Sequence, residues 1–325
     1  MIYLKLVLVF TLLFGLMKLY LKVADRYNVI DKPNERSSHT EHTIRGGGII
    51  FPIAMLLAFL FSGFEYAWFT IGLLLISVIS FLDDLKPRDF KVRFFIHLLS
   101  VLCLFFQLKL FQFDWYVLLL ALFFVIGSIN AINFMDGING ITGGYALLTL
   151  LTLLYIDIFS VAFIDHMFII VAIISVIVFN FFNFRKKAKC FAGDVGSVSI
   201  AFILLFFLIK LMVASNNVSY ILLLLIYGLD VVTTMSFRVL RKENIFEAHR
   251  THFYQFLANE KKMPHLKVAL GYCLVQFAVN LGVICFPIDK LSYLVPILII
   301  TGTLIVLLRL ITQGLKKLIG HIDID

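Results

Sequence analysis

Eleven runs of seventeen or more nearly uncharged residues recur along this chain, at about 2–22, 47–63, 66–82, 94–111, 115–133, 142–158, 166–183, 196–214, 218–237, 266–286 and 291–309. About 20 apolar residues cross roughly 30 Å of hydrocarbon, and within lipid each segment must satisfy its own backbone N–H and C=O groups. Such runs therefore predict membrane helices. With 61% of 325 residues hydrophobic and 15% charged, a soluble enzyme or nucleic-acid-binding protein is excluded. The expected fold is all-α: one polytopic integral membrane domain over 1–325, with about eleven transmembrane helices. The first run is long and lacks a small-residue cleavage site, so it is expected to remain as a helix.

The formal charge of +8 is informative through its placement. Of 28 lysines and arginines, 23 fall in the stretches 22–45, 83–93, 184–195, 238–267 and 309–325; the others are Lys5, Lys18, Lys109, Lys210 and Lys290. Basic short loops stay on the cytoplasmic side, which orients the N-terminus outward and these loops inward. The tail from Leu310 to Asp325 reads as amphipathic and is expected to lie along the inner surface. Cys273 and Cys285, about 18 Å apart on one predicted helix, are too far apart to bridge, and the cysteines carry no predicted chemistry.

Four polar clusters, Asp83-Asp84, Asp136, Asp194 and His249-Arg250-Thr251-His252, are separated by even numbers of spans, so all face one side of the membrane. They share that side with the loop before the second span, which carries Thr43-Ile44-Arg45-Gly46-Gly47-Gly48. The glycine triplet suits either a flexible helix start or a backbone cradle for an anion. Asp83-Asp84 is either an acidic turn neutralised by Lys86, Arg88, Lys91 and Arg93, or part of a Mg²⁺-phosphate site, since that ion takes oxygen ligands and keeps several waters. Asn130, Asn133, Asp136 and Asn139 exceed what one Asp-Gly or Asn-Gly turn needs and offer fixed donors and acceptors for a base or sugar. Asp194, between Gly193 and Gly196, is an N-cap or a metal ligand, with Phe191 placed to stack on a base. His249 and His252 lack the third His or Cys of a zinc site; with Arg250 they suit phosphate oxygens, the alternative being a solvated basic loop.

Together, residues 25 to 256 resemble the polyprenyl-phosphate N-acetylhexosamine-1-phosphate transferases, which include the phospho-N-acetylmuramoyl-pentapeptide transferase. Asp31-Lys32-Pro33-Asn34 through Gly48 resembles the family's first inner loop, and Asp83-Asp84 its paired aspartates. Asn130 to Gly140 resembles the nucleotide loop, Phe191 to Ser197 the metal motif, and His249 to His252 the histidine loop. Arg36-Ser37-Ser38-His39 and His249 to Gln255 look most like the branch that starts O-antigen chains on 6-deoxy-amino sugars. The chain departs from the family in having Asn139 where many members have Asp, in lacking a proline after Asn183, and in having two histidines with Arg250 in place of a run of three.

The resemblance implies transfer of an N-acetylated amino-sugar 1-phosphate from a UDP-sugar to polyprenyl (undecaprenyl) phosphate, releasing UMP, as the first membrane step of O-antigen or another cell-envelope glycan. It implies Mg²⁺, with Mn²⁺ an alternative, held by Asp194 with Asp84 or Asp83. Asp83, Asp84, His249, Arg250 and His252 are the expected catalytic groups. Arg45, Asn130, Asn133, Asp136, Asn139, Asn183 and Phe191 are the expected substrate contacts. The implied location is the bacterial inner membrane, multi-pass, with the site facing the cytoplasm; a homodimer is compatible with the sequence. The competing reading is a transporter or lipid flippase, which would place charges near mid-membrane and show related halves.

Overall fold

The computed structural model describes residues 2–31, 42–245, 247, 249–286 and 291–320. Lys32 to His39 of the first inner loop, Ala248 beside the histidine loop and the last five residues of the tail lie outside the described residues. Among those described, the helices are α1 (Ile2–Arg26), α2 (Ile50–Phe61), α3 (Ala67–Leu85), α4 (Phe90–Gln107), α5 (Trp115–Met135), α6 (Ile141–Phe159), α7 (His166–Asn183), α8 (Gly193–Ser215), α9 (Leu225–Leu240), α10 (Phe253–Gln255), α11 (His265–Cys285), α12 (Leu291–Gln313) and α13 (Leu315–Ile319). Ten helical segments are long and apolar enough to cross a membrane, so the protein is an all-α multi-pass membrane protein.

The predicted span at 47–63 is the exception. Its helical part is Gly47–Phe61, at 1.5 Å per residue about 22 Å long and short of a bilayer core. At its start Gly46 is left-handed (φ 79°) and Gly47–Ile49 forms a 3-10 turn. There the chain crosses α8 so closely that a Cβ on Gly48 would sit 2.1 Å from the Gly196 Cα.

Helix α8 is the axis of the bundle. Every residue from Val195 to Ile209 is buried, and the helix packs against α2, α3, α5 and α6. A helix apolar on all sides belongs inside, and this one has no outward face. The periphery is reversed: Phe123 on α5 and Ile311 on α12 are 70% and 82% exposed, as lipid-facing side chains should be.

Polar side chains inside the bundle repair a break in its backbone. The ninth span begins as a 3-10 segment, Val218–Leu224, before α9. From α11, Gln276 accepts from the Ile226 N–H (3.0 Å) and donates to the Leu222 carbonyl (2.9 Å), and its Oε1 also takes the Tyr145 hydroxyl (2.6 Å). A break in a spanning helix is tolerated only where neighbours re-satisfy the freed groups.

Two-residue strands β1 (Ile30–Asp31) and β2 (Thr43–Ile44) pair antiparallel, and Ile44 bridges to Cys190. The first inner loop is thereby laced to the segment before α8. Gly47 and Gly48 donate to the carbonyls of Phe191 and Ala192 at 2.8 and 3.0 Å.

Candidate active site

Helix α3 does not stop before its acidic pair but carries both aspartates in its last turn, where adjacent residues point about 100° apart. Asp84 points inward and its side chain is fully buried. Its Oδ1 accepts from the Asp194 N–H and its Oδ2 from the Val195 N–H, both at 2.9 Å. A carboxylate from α3 thus caps the first turn of α8, where the helix dipole and unpaired N–H groups favour negative charge. Gly193 is required there: it is left-handed (φ 72°), and a Cβ would lie 2.6 Å from Asp84 Oδ2.

Arg45 joins the two acids, with Nε 2.6 Å from Asp84 Oδ1 and Nη2 3.2 Å from Asp194 Oδ1. Burial would lower the Arg45 pKa, but Asp84, Asp194 and Asp31 more than offset this and hold it above its ordinary value. Asp83 faces the other way. Its Oδ1 accepts from the Arg88 N–H and its Oδ2 from Arg93 Nη1, both at 2.7 Å. Its carboxyl also lies within hydrogen-bonding reach of Asp194.

Two apposed carboxyls repel unless a proton or a cation lies between them. Among the described residues, no group of three or more His, Cys, Asp or Glu side chains is arranged to hold a metal ion. Two carboxylates alone could hold a hard cation only if water and phosphate oxygens completed its shell, as they do for Mg²⁺. Asp84, expected as a ligand, is engaged by two backbone N–H groups and Arg45.

The Asn130 to Gly140 stretch divides into residues that face this cluster and residues that hold it. Asn133 accepts from Ser197 Oγ at 2.6 Å, joining α5 to the first turns of α8. Asp136 follows α5; burial pushes its carboxyl up to about 6, with the nearby Asp194 charge adding to the effect and Arg45 opposing it. Asn139 and Asn183, expected to touch substrate, are buried and bonded to backbone. Asn139 Nδ2 donates to the carbonyls of Arg185 and Lys186. Asn183 accepts from the Gly140 N–H and donates to the Cys190 carbonyl. Asn130 is exposed and donates to the Ile126 carbonyl of its own helix. Phe191 is half-buried, its N–H donating to the Ile44 carbonyl.

The histidine loop docks on the end of α5. The rings of His249 and His252 lie 6.3 and 6.1 Å from that of Phe134, and Tyr254 Oη donates to the Phe134 carbonyl at 2.9 Å. Burial, with His252 and Arg238 nearby, lowers His249 to about 4, so its ring is neutral near pH 7. Arg250 is exposed and lines a cavity of about 290 Å³ with Arg241, Thr251 and Arg309.

Sequence reasoning missed what supports this loop. Asp230 in α9 and Arg309 in α12 are 2% and 1% exposed. Arg309 donates to the hydroxyls of Thr233 and Thr234 and to the Thr251 carbonyl. The available signal was an acid inside the ninth apolar run, since an ionisable residue within a span marks function by default.

The site therefore gathers the end of α3, the end of α5, the start of α8 and the histidine loop at one end of the bundle. Residues 66–212 match the family model described as glycosyl transferase family 4, a stretch that contains Asp83, Asp84, Asn133, Asp136 and Asp194 but neither Arg45 nor the histidine loop. No curated protein matches the chain. The clustered acids of this multi-pass helical bundle thus fall within a stretch that is similar to glycosyl transferase family 4.

Proposed function

We propose that the protein transfers an N-acetylated amino-sugar 1-phosphate from a UDP-sugar to polyprenyl phosphate, giving polyprenyl-diphosphate-sugar and UMP. The observation that carries this reading is the Arg45, Asp83, Asp84 and Asp194 assembly, built at one end of an apolar bundle. A lipid phosphate arrives from the membrane and a nucleotide-sugar from water, so their common site must lie at that boundary. The basic loops point to the cytoplasmic side of a bacterial inner membrane.

In the reaction, an oxygen of the lipid phosphate bonds to the β-phosphorus while the bond to the bridging oxygen of UMP breaks. Both reactants are anions, so the protein's task is charge neutralisation and positioning. Mg²⁺, or Mn²⁺ on the same ligands, would be held by Asp194 and Asp83 and would supply charge to the diphosphate and the leaving UMP. Asp84 positions Asp194 by fixing the first turn of α8 and orienting Arg45. Asn133, Asp136 and Phe191 lie on the nucleotide side, while Asn139 and Asn183 hold the loops that carry them. His249, Arg250 and His252 meet phosphate oxygens from the opposite side. The histidine-loop sequence favours a 6-deoxy-amino sugar and a place at the start of O-antigen synthesis.

Release of UMP by the purified protein in nanodiscs, given polyprenyl phosphate, Mg²⁺ and a panel of UDP-amino-sugars, tests the reading. Release that requires both the lipid phosphate and the cation supports it. Passage of UDP-sugar or lipid across the bilayer with no UMP formed would favour a transporter or flippase instead.

A further inference from the structure

Asp230 sits at the centre of five hydrogen bonds donated from three elements. Its Oδ1 accepts from the Phe253 N–H (2.9 Å), Thr234 Oγ1 (3.1 Å) and His252 Nδ1 (3.3 Å); its Oδ2 accepts from Tyr272 Oη (2.5 Å) and the Tyr254 N–H (3.2 Å). Arg309 Nη1 lies 3.8 Å from Oδ1. A carboxyl surrounded by donors and a guanidinium is ionised and can only accept, so the proton on the His252 line belongs to Nδ1.

That assignment leaves Nε2 as the remaining nitrogen. His252 is 2% exposed, and among the described residues its Nε2 is buried without a hydrogen-bond partner. An unsatisfied buried polar atom costs about 1–3 kcal/mol, so the folded protein keeps it at the expense of stability. The ring lies against Phe134 at the end of α5, with His249 at 4.9 Å and Tyr254 at 5.9 Å. The ionisable groups around it are Asp230 on α9, Tyr272 on α11, Arg309 on α12, and His249 and Tyr254 on its own loop.

We propose that Asp230 is a positioning residue: it fixes His252 in the Nδ1–H form, so that Nε2 meets an oxygen of the lipid phosphate. Nε2 takes the proton of a monoprotonated phosphate, leaving the phosphate dianion hydrogen-bonded to an imidazolium whose charge Asp230 offsets. Asp230 remains ionised throughout, and no other atom changes hands. This assignment rests on the function proposed above, and it draws on α9, α11 and α12, all beyond the residues that match the family.

Full-length protein labelled with ¹⁵N-histidine, in lipid nanodiscs without substrate, reports the tautomer directly, the His252 signal being identified by its loss in His252→Gln. The neutral ring is expected as Nδ1–H; an Nε2–H ring in the wild type overturns the proposal. In Asp230→Asn the amide can donate to Nδ1, so the ring should switch to Nε2–H. There kcat should fall about 10–100-fold, with the KM for UDP-sugar changed less than about 3-fold. Wild-type kcat in Asp230→Asn also overturns the proposal. If that variant does not fold, the wild-type tautomer alone decides. Should no UDP-sugar support turnover by the wild type, the phosphate role falls with the proposed function, while the tautomer still establishes whether Asp230 holds the ring.

Discussion

The carboxylate cluster and the histidine loop face each other across the end of α5, yet they are built in opposite ways. In the cluster, acids from α3 and α8 engage backbone N–H groups and arginines close to where they act. Asp84 bonds directly to the first turn that bears Asp194. The histidine loop is held from behind, by a buried aspartate and arginine on helices that carry no other predicted site residue. One region is positioned by its neighbours at the surface of the bundle and the other by its interior. The first falls mostly inside the stretch matched to the family and the second outside it.

Replacing Asp194 with Asn should produce the largest effect, a loss in kcat on the order of 10²–10³-fold, with the helical circular dichroism of the wild type and an unchanged His252 tautomer. A change in that tautomer would break the separation between the two regions. Asp84→Ala should act on stability first. It leaves Arg45 and two N–H groups of α8 without their partner, and breaking a buried ion pair costs about 3–5 kcal/mol; Arg45 is one-third exposed, so the lower end is expected, read as a fall in Tm.

The two regions should also respond oppositely to pH. Asp136 is raised to about 6 from 3.8, so its contribution to stability is full below about pH 4 and lost as pH rises through 6. Without ligand, Asp136→Asn should therefore be more stable than the wild type at pH 7.5, by no more than about 3 kcal/mol, and equal to it near pH 4. His249 is lowered from 6.5 to about 4. Its contribution is full above 6.5 and lost as pH falls towards 4, so His249→Gln should flatten the acid limb of a Tm-versus-pH curve. The smallest effect is expected for Asn183→Ala, where losing the bonds to Gly140 and Cys190 should cost about 1–3 kcal/mol, with kcat falling only as the loop loosens.

The spans were legible because lipid leaves the backbone few options. Their ends were less so. The predicted third span stops at 82, but Asp83 and Asp84 lie within α3, where most of their polar atoms find partners in the helix or across the site. The glycine triplet was read as a flexible helix start or a cradle for an anion; in the structure the backbone it lets approach is that of α8. Asn139 and Asn183 show what residue type cannot reveal: an amide suited to a base is equally suited to a carbonyl of the next loop. Asp230 went unnoticed because one charge barely alters a window of twenty apolar residues, and its partner on α12 lies 79 positions away in the sequence.

The central claim is that a sugar and its phosphate move together. The direct test uses a UDP-amino-sugar radiolabelled at the β-phosphorus, presented with polyprenyl phosphate in nanodiscs containing the wild-type protein. The predicted result is label in the lipid fraction, equimolar with the sugar and with released UMP, and absent with Asp194→Asn. Sugar in the lipid fraction with the label retained in UDP would contradict it, because the bond broken would then be glycosidic and the phosphate-directed site described here would have no role.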